Sequence, residues 1–281
     1  MAKDKKALSK KLGEWDKGPI DPQQKENTLG EIKRSFNSNT EMQGLLRDGL
    51  LQLNLRGSAK NANEAKSTND VDIQAVFFTE EELTSLKDKC FYVLKNRFGD
   101  DVSRHRRAIR IEENINRRST DVVVCKHANG KVIAYDDYLK REIEFSPAEV
   151  QRNIAKKNIE TKNLYSKMVR ILKSVINEMV QSNEAERKLK SFAIESLLFS
   201  LKARIFNKKK ETDSDEIRYK KRFCAILQSV EARLKDFSTA KQFIETDGES
   251  QLFTNIYDYN FVKEYWTSII RYIKSNYNMG A

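Results

Sequence analysis

At Ser146-Pro147 the chain changes its hydrophobic period. Upstream, apolar residues alternate in short runs. Leu51, Leu53 and Leu55 form one, Val71, Ile73 and Ala75 another, and Val122 and Val124 fall within a third. A period of two is the mark of a strand with two different faces. Downstream, apolar residues recur at three and four, as in Leu164, Met168, Ile171, Leu172, Val175 and Ile176. That is one face of an amphipathic helix. The expected class is therefore α+β, with a sheet-bearing first half and an all-helical second half.

Within the first half, Leu29, Ile32 and Phe36 predict a helix over 23–38, and a shorter one follows at 40–48. Strands are expected over 50–56, 71–78, 108–111, 120–125, 131–135 and 142–145. Asn129-Gly130 is a hairpin signal that sets 131–135 antiparallel to its neighbour. Thr79 before Glu80, Glu81 and Glu82 reads as a capped helix start. Leu83, Leu86, Cys90, Val93 and Leu94 form that helix's buried face. After Pro147, helices are expected over 163–180, 186–205, 216–237 and 261–277, with a polar loop over 207–214. The first 22 residues are charged and close on Gly18-Pro19-Ile20-Asp21-Pro22, with Trp15 as a docking anchor. The expected divisions are an arm over 1–22 that packs on the core, an α/β core over 23–150 and a helical domain over 151–281.

Charge and composition exclude several functions. Lys and Arg number 52 against 41 Asp and Glu, a net charge of +11. Such a balance favours anionic partners such as nucleotides or nucleic acid. No apolar run reaches the roughly 18–20 residues of a membrane helix, and the basic start lacks a secretory apolar segment. Three widely spaced cysteines fit reduced thiols in a cytoplasm. Two histidines, without CxxC or HxxxH, argue against zinc, and no GxSxG supports a serine hydrolase.

The chemistry concentrates in Gly57-Ser58, Asp70-Val71-Asp72 and Asp121. Residues i and i+2 of a strand share a face, so Asp70 and Asp72 project side by side. Asp121 opens another strand that could join them. Grouped carboxylates repel unless cations neutralise them, and all-oxygen ligation suits Mg²⁺ with substrate phosphates. Two such ions can clamp the attacking and leaving oxygens of a phosphoryl displacement. Gly57 lets backbone approach a phosphate closely, and Ser58 adds an amide and a hydroxyl.

This order, strand, Gly-Ser, polar stretch, DxD strand and then Asp before VVV, resembles the polymerase-β-like nucleotidyltransferases. Further pieces resemble the bacterial cyclic GMP–AMP synthase-like members, the CD-NTases, and clade E most. They are WDKGPIDP at 15–22, LRGSAKNAN leading to DVDI, TDVVV, EIEFSP with the following KKN, YSKMVRILK at 165–173 and SFAIESLLF at 191–199. The resemblance implies a nucleotidyltransferase core of mixed sheet with flanking helices, joined to a C-terminal helical bundle in a two-lobed cage with one cleft. It implies that Asp70, Asp72 and Asp121 bind two Mg²⁺ ions, for which Mn²⁺ can substitute, and that Asp121 activates the attacking ribose hydroxyl. Gly57, Ser58, Lys173 and Ser191 would hold triphosphate oxygens. Phe192 would stack on a base or pack in the core. Asn153, Lys156 and Asn158 lie in the region over the active site, where an Asn amide could read a base edge. Part of the basic excess, Lys156, Lys157, Arg170 and Lys173, falls where a triphosphate would lie. The chain departs from the family pattern at Arg56, Ala59, Ala62-Asn63 and Asn69; these bear on donor-nucleotide contacts and leave every carboxylate in place.

The implied activity joins NTPs into a cyclic di- or oligonucleotide messenger for anti-phage signalling, with release of pyrophosphate. The implied partners are NTPs, an effector reached through the product, and an activating nucleic acid or protein; a cytoplasmic monomer is expected. Two alternatives stay open. One is a catalytically weak nucleotidyltransferase fold that senses a ligand or nucleic acid. The other keeps the chemistry but modifies a tRNA, antibiotic or protein.

Overall fold

The computed structural model describes residues 6–17, 22–56, 71–115, 117–129, 131–137, 140–145, 147–207, 215–246, 248 and 250–278. The chain divides into two compact units. One is built from residues 20–62 and 69–147, the other from 1–19, 63–68 and 148–281.

The first unit holds α2 (Pro22–Asn37), α3 (Thr40–Arg47), β2 (Leu51–Arg56), β3 (Val71–Phe77), α4 (Leu83–Phe98), β4 (Val102–Arg104), β5 (Ala108–Ile111), β6 (Thr120–Ala128), β7 (Lys131–Asp136) and β8 (Arg141–Phe145). The strands form one mixed sheet in the order β2-β3-β6-β5-β4, with β7 pairing β6 and β8 beyond it. Only β3 and β6 run parallel; the other pairings are antiparallel. β6 is long enough to hold two partners on one edge, β5 along Thr120–Val123 and β7 along Cys125–Ala128.

The sheet's two faces differ, as the period-two pattern requires. Leu51, Val71, Ile73, Ala75, Phe77, Ile109, Ile111, Val122 and Val124 pack with Ile32 and Phe36 of α2 and with Leu83, Leu86, Cys90 and Leu94 of α4. Each fully buried Leu, Ile or Phe contributes roughly 1.5–3 kcal/mol, and this layer fixes the strand register. Alternate residues face the other way. There Val76, Cys125 and Ala134 make a small apolar cluster, while Asp72 and Asp121 lie toward the strand starts.

Three expectations for this unit change. The helix after β3 begins at Leu83, with extended Glu82 at its cap position rather than Thr79. Phe78 N still donates to Leu50 O at 2.8 Å, so the chain stays tied to the sheet past Phe77 and the TEEE run forms a turn. β4, three residues long, was too short to show a period. β6 extends to Ala128, and Asn129 (φ 52°) supplies the left-handed turn of the expected hairpin. The polar stretch at 59–69 lies outside the described residues.

The second unit contains β1 (Lys6–Ala7), α1 (Leu8–Trp15), α5 (Pro147–Glu160), α6 (Leu164–Gln181), α7 (Ser191–Phe199), α8 (Ala203–Asn207), α9 (Asp215–Arg233), α10 (Phe237–Ala240), α11 (Ile256–Asn276) and β9 (Tyr277–Asn278). α6 is its centre, buried over most of its surface from Tyr165 to Met179, with Lys167 reaching solvent. Polar groups on the buried part must be satisfied internally. Ser166 donates to Asn158 Oδ1 at 2.8 Å, and Ser174 donates to the Trp15 carbonyl at 3.0 Å. Trp15 anchors the arm on this helical unit rather than on the expected α/β core: it is 4% exposed, with Nε1 donating to Glu178 Oε2 at 3.0 Å. Its ring meets Tyr277 edge-on at 5.1 Å.

The helix expected over 186–205 is two. Lys190 is extended (ψ 133°) and starts α7, and a turn after Phe199 separates it from α8. Ser200 explains the break. Its hydroxyl bridges to residue 244, donating to the Ile244 carbonyl at 3.1 Å and accepting from Ile244 N at 2.9 Å. Leu189 and Leu201 remain buried on either side, so the apolar pattern survives the interruption. No described helix is long and apolar enough to cross a membrane.

Candidate active site

The parallel pairing of β3 with β6 sets Asp72 directly beside Asp121. Adjacent strands lie about 4.8 Å apart, and residues in register share a face. Two carboxylates at that spacing repel each other through a partly buried medium. The sheet answers with flanking cations. Arg56 of β2 stands opposite Asp72, and Arg110 of β5 stands opposite Asp121. The row across four strands therefore reads Arg56, Asp72, Asp121, Arg110.

Arg56 Nε donates to Gln74 Oε1 at 2.6 Å, and Gln74 Nε2 in turn donates to Cys125 Sγ at 3.4 Å. Burial lowers the Arg56 guanidinium pKa from its ordinary range. Burial also pushes the Cys125 thiol up to about 12, outweighing the Gln74 hydrogen bond and the Arg56 charge, so this cysteine is no thiolate nucleophile. Arg110 Nη1 donates to Asp121 Oδ2 at 3.1 Å. The other oxygen, Asp121 Oδ1, is buried with no hydrogen-bond partner among the described residues. Close by, Val71 N donates to the Ser119 carbonyl at 2.8 Å, and the Ser119 hydroxyl is likewise buried without a partner among them.

A buried, unpartnered carboxylate oxygen next to a second carboxylate is an acceptor set that fits a hard divalent cation. No group of three or more His, Cys, Asp and Glu gathers among the described residues. Asp70, Gly57 and Ser58, the remaining members of the expected constellation, lie outside them.

In the helical unit Lys173 is buried, and its Nζ donates to Glu195 Oε1 of α7 at 2.8 Å. Ser191 and Phe192 open α7. Ser191 is exposed, Phe192 is 43% exposed, and no side chain caps the helix. The aromatic is thus available for stacking rather than held in the core. On α5, Lys156 is exposed, while Asn153 Nδ2 donates to the Thr246 carbonyl at 3.3 Å. Asn158 Oδ1 accepts from both the amide and the hydroxyl of Ser166, which ties it to the first turn of α6. Two other cations of the expected phosphate region have internal partners. Lys157 Nζ donates to the Leu201 carbonyl, and Arg170 Nη2 pairs with Asp16 Oδ1 at 2.7 Å.

Sequence reasoning missed Arg110 and Ser119. The alternation Ala108-Ile109-Arg110-Ile111 shows that Arg110 faces away from the helix-covered side. Nothing local shows which strand lies beside it.

Residues 152–274 match the family of cGAS/DncV-like nucleotidyltransferase C-terminal helical domains. A cyclic GMP–AMP synthase of Staphylococcus schleiferi, CdnE03, is 28% identical over 246 residues, which cover 70% of this chain and 76% of that protein. A cyclic dipurine nucleotide synthase of Elizabethkingia meningoseptica is 28% identical over 183 residues. That match covers 52% of this chain and 62% of the relative, less than two thirds of its length. Among solved structures, the Elizabethkingia meningoseptica CdnE cyclic dinucleotide synthase with GTP and Apcpp has a similar fold. Its TM-score is 0.75 at 21% identity, over 94% of this chain and 98% of that one. The Rhodothermus marinus CdnE c-UMP-AMP synthase with Apcpp and Upnpp gives 0.71 at 17% identity, over 95% and 94%.

Proposed function

We propose that the chain is a cGAS/DncV-like nucleotidyltransferase, similar to the CdnE group, and that it joins nucleoside triphosphates into a cyclic di- or oligonucleotide. The observation that carries the proposal is the register of Asp72 against Asp121, with Asp121 Oδ1 buried and unpartnered among the described residues.

In the proposed reaction a ribose 2′- or 3′-hydroxyl of one NTP attacks the α-phosphorus of another. The new P–O bond forms as the bond to the β-phosphate oxygen breaks, releasing pyrophosphate. A second attack closes the ring and releases a second pyrophosphate. Asp121 Oδ1 takes the hydroxyl proton in each step. Asp72 and Asp121, with Asp70, would hold Mg²⁺, which supplies charge neutralisation at the phosphates when bound. Gly57 and Ser58 would hold the donor phosphates through backbone and hydroxyl. Ser191, Lys173, Lys156 and Asn153 would contact the nucleotides. Phe192 would stack on a base, for which its exposure is suited. The product would act on a downstream effector in anti-phage signalling, and the exposed lysines leave room for an activating nucleic acid or protein.

Incubation with each labelled NTP pair and Mg²⁺ or Mn²⁺, read by chromatography and mass spectrometry, tests this. A phosphatase-resistant product that vanishes in Asp72→Asn and Asp121→Asn supports it. Unchanged product in either variant overturns it, as does labelled tRNA or protein as the only product.

A further inference from the structure

We propose that Arg110 is a positioning residue for the carboxylate pair, aiming Asp121 and weakening the site's grip on divalent cations. This rests on the reading of Asp72 and Asp121 as metal-binding acids. Three observations carry it. First, β5 sets Arg110 directly opposite Asp121 in an antiparallel pair. Second, its Nη1 meets Asp121 at one carboxylate oxygen, Oδ2 at 3.1 Å. Oδ1 is left buried with no hydrogen bond from any described residue. Third, the strand carrying it cannot drift, because Ile109 and Ile111 on either side are fully buried in the helix-covered layer.

These facts fix what Arg110 does. A carboxylate can rotate about its Cβ–Cγ bond, and a planar guanidinium on one oxygen sets that rotation. The free oxygen then points where the arginine is not. Arg110 is also a permanent positive charge in contact with the acid, so it opposes any cation that binds there. Among the described contacts, Glu112 Oε1 also lies 3.9 Å from Arg110 Nε. The arrangement trades cation affinity for aim: a weaker site whose acceptor oxygen is already in place.

The test is Mn²⁺ binding to the nucleotide-free protein, followed by electron paramagnetic resonance, beside steady-state kinetics. In Arg110→Gln, loss of a contacting positive charge should tighten Mn²⁺ about three- to tenfold. kcat should fall about 10- to 100-fold as Asp121 loses its orientation, with KM for NTP changed by less than about threefold. Arg110→Lys keeps the charge and loses the fork. It should hold Mn²⁺ at the wild-type affinity while regaining only part of kcat. Thermal melting confirms that both variants are folded, and Arg110→Lys serves if Arg110→Gln is not. Mn²⁺ affinity in Arg110→Gln equal to or weaker than wild type overturns the proposal, and so does an unchanged kcat. Failure of the underlying reading looks different: wild type makes no cyclic product, and Asp121→Asn binds Mn²⁺ as well as wild type.

Discussion

Replacing Glu178 with glutamine should loosen both chain ends from the helical unit. Glu178 lies on α6, and its carboxylate gathers four donors. Lys11 Nζ at 2.9 Å and Trp15 Nε1 at 3.0 Å meet Oε2; the Tyr272 hydroxyl at 2.8 Å and the Tyr277 hydroxyl meet Oε1. Lys11 and Trp15 belong to α1, and Tyr277 opens β9, which pairs with β1 through Lys6. Burial raises the carboxyl pKa, but the hydrogen bonds from Tyr277, Lys11, Trp15 and Tyr272 outweigh it and hold the group at about 2, against an ordinary 4.5. At roughly 1.36 kcal/mol per pH unit, that difference is worth about 3.4 kcal/mol. The side chain is 28% exposed, so solvent screening takes only part of it. Glutamine keeps one acceptor oxygen and loses the charge, so the expected loss is about 2–3 kcal/mol at pH 7. For a chain of this size the melting temperature should drop roughly 4–10 °C. The sign with pH follows from linkage. The unfolded glutamate binds its proton near 4.5 and the folded one near about 2. The stabilisation is therefore complete above about pH 5, falls as pH drops and is gone below about 2. Urea unfolding of wild type and Glu178→Gln between pH 3 and 7 checks it: the gap should narrow toward pH 3. A gap under about 0.5 kcal/mol at pH 7, or one that widens on acidification, refutes the reasoning.

The other predictions concern buried charge, stacking and thiols. Lys173 and Glu195 form a buried pair, 2% and 15% exposed; Glu195→Leu alone should cost about 3–5 kcal/mol by taking the carboxylate away from a buried ammonium, and Lys173→Met in the same chain should recover most of it. If that double variant folds and its KM for NTP rises, measured kinetics assign Lys173 to the triphosphate; an unchanged KM removes it from the nucleotide site. Phe192→Ala should cost less than about 1 kcal/mol in unfolding experiments, since the ring is 43% exposed, yet weaken nucleotide binding about 10-fold by lost stacking. Burial raises the thiols of Cys90 and Cys125, so in the native protein at pH 8 a thiol reagent should modify Cys224, which is only partly buried, well before either; rapid labelling of Cys125 contradicts its placement.

Much of the fold was legible because local pattern and burial agree. The period-two runs became β2, β3, β6 and β7, and the Asn129 turn joined the last two in the expected sense. Residues 163–180 read as an amphipathic helix, and the structure buries part of its polar side as well. The pattern could not show this, because Ser166, Lys173, Ser174 and Asn177 look like a solvated stripe. Lys173 and Ser174 are buried because partners far away in sequence satisfy them: Glu195 for Lys173 and the Trp15 carbonyl for Ser174. The same blindness explains the helix expected over 186–205. Its apolar spacing runs through unbroken, while the break at Ser200 depends on a bond to Ile244.

The candidate site divides along the same line. Asp72 and Asp121 could be named from sequence because a carboxylate inside an apolar strand is unusual whatever lies beside it. Arg110 could not. Its contact with Asp121 exists only because residues 108–111 pair with 120–123 in one register, across a connection that carries its own partners. Arg117 Nη2 donates to Asp101 Oδ2 at 2.9 Å and to the Glu112 carbonyl at 2.9 Å, and Asn114 bridges back to Arg117. That connection acts with the buried Ile109 and Ile111 in holding the register. A slip of one residue would put Ile109 or Ile111 opposite Asp121 and turn Arg110 into the helix-covered layer. The charge row at the site therefore depends on a nearly buried arginine seven positions beyond Arg110. Arg117→Met should accordingly disturb Mn²⁺ binding at Asp121 by way of β5, although Arg117 touches neither carboxylate of the pair in any described contact.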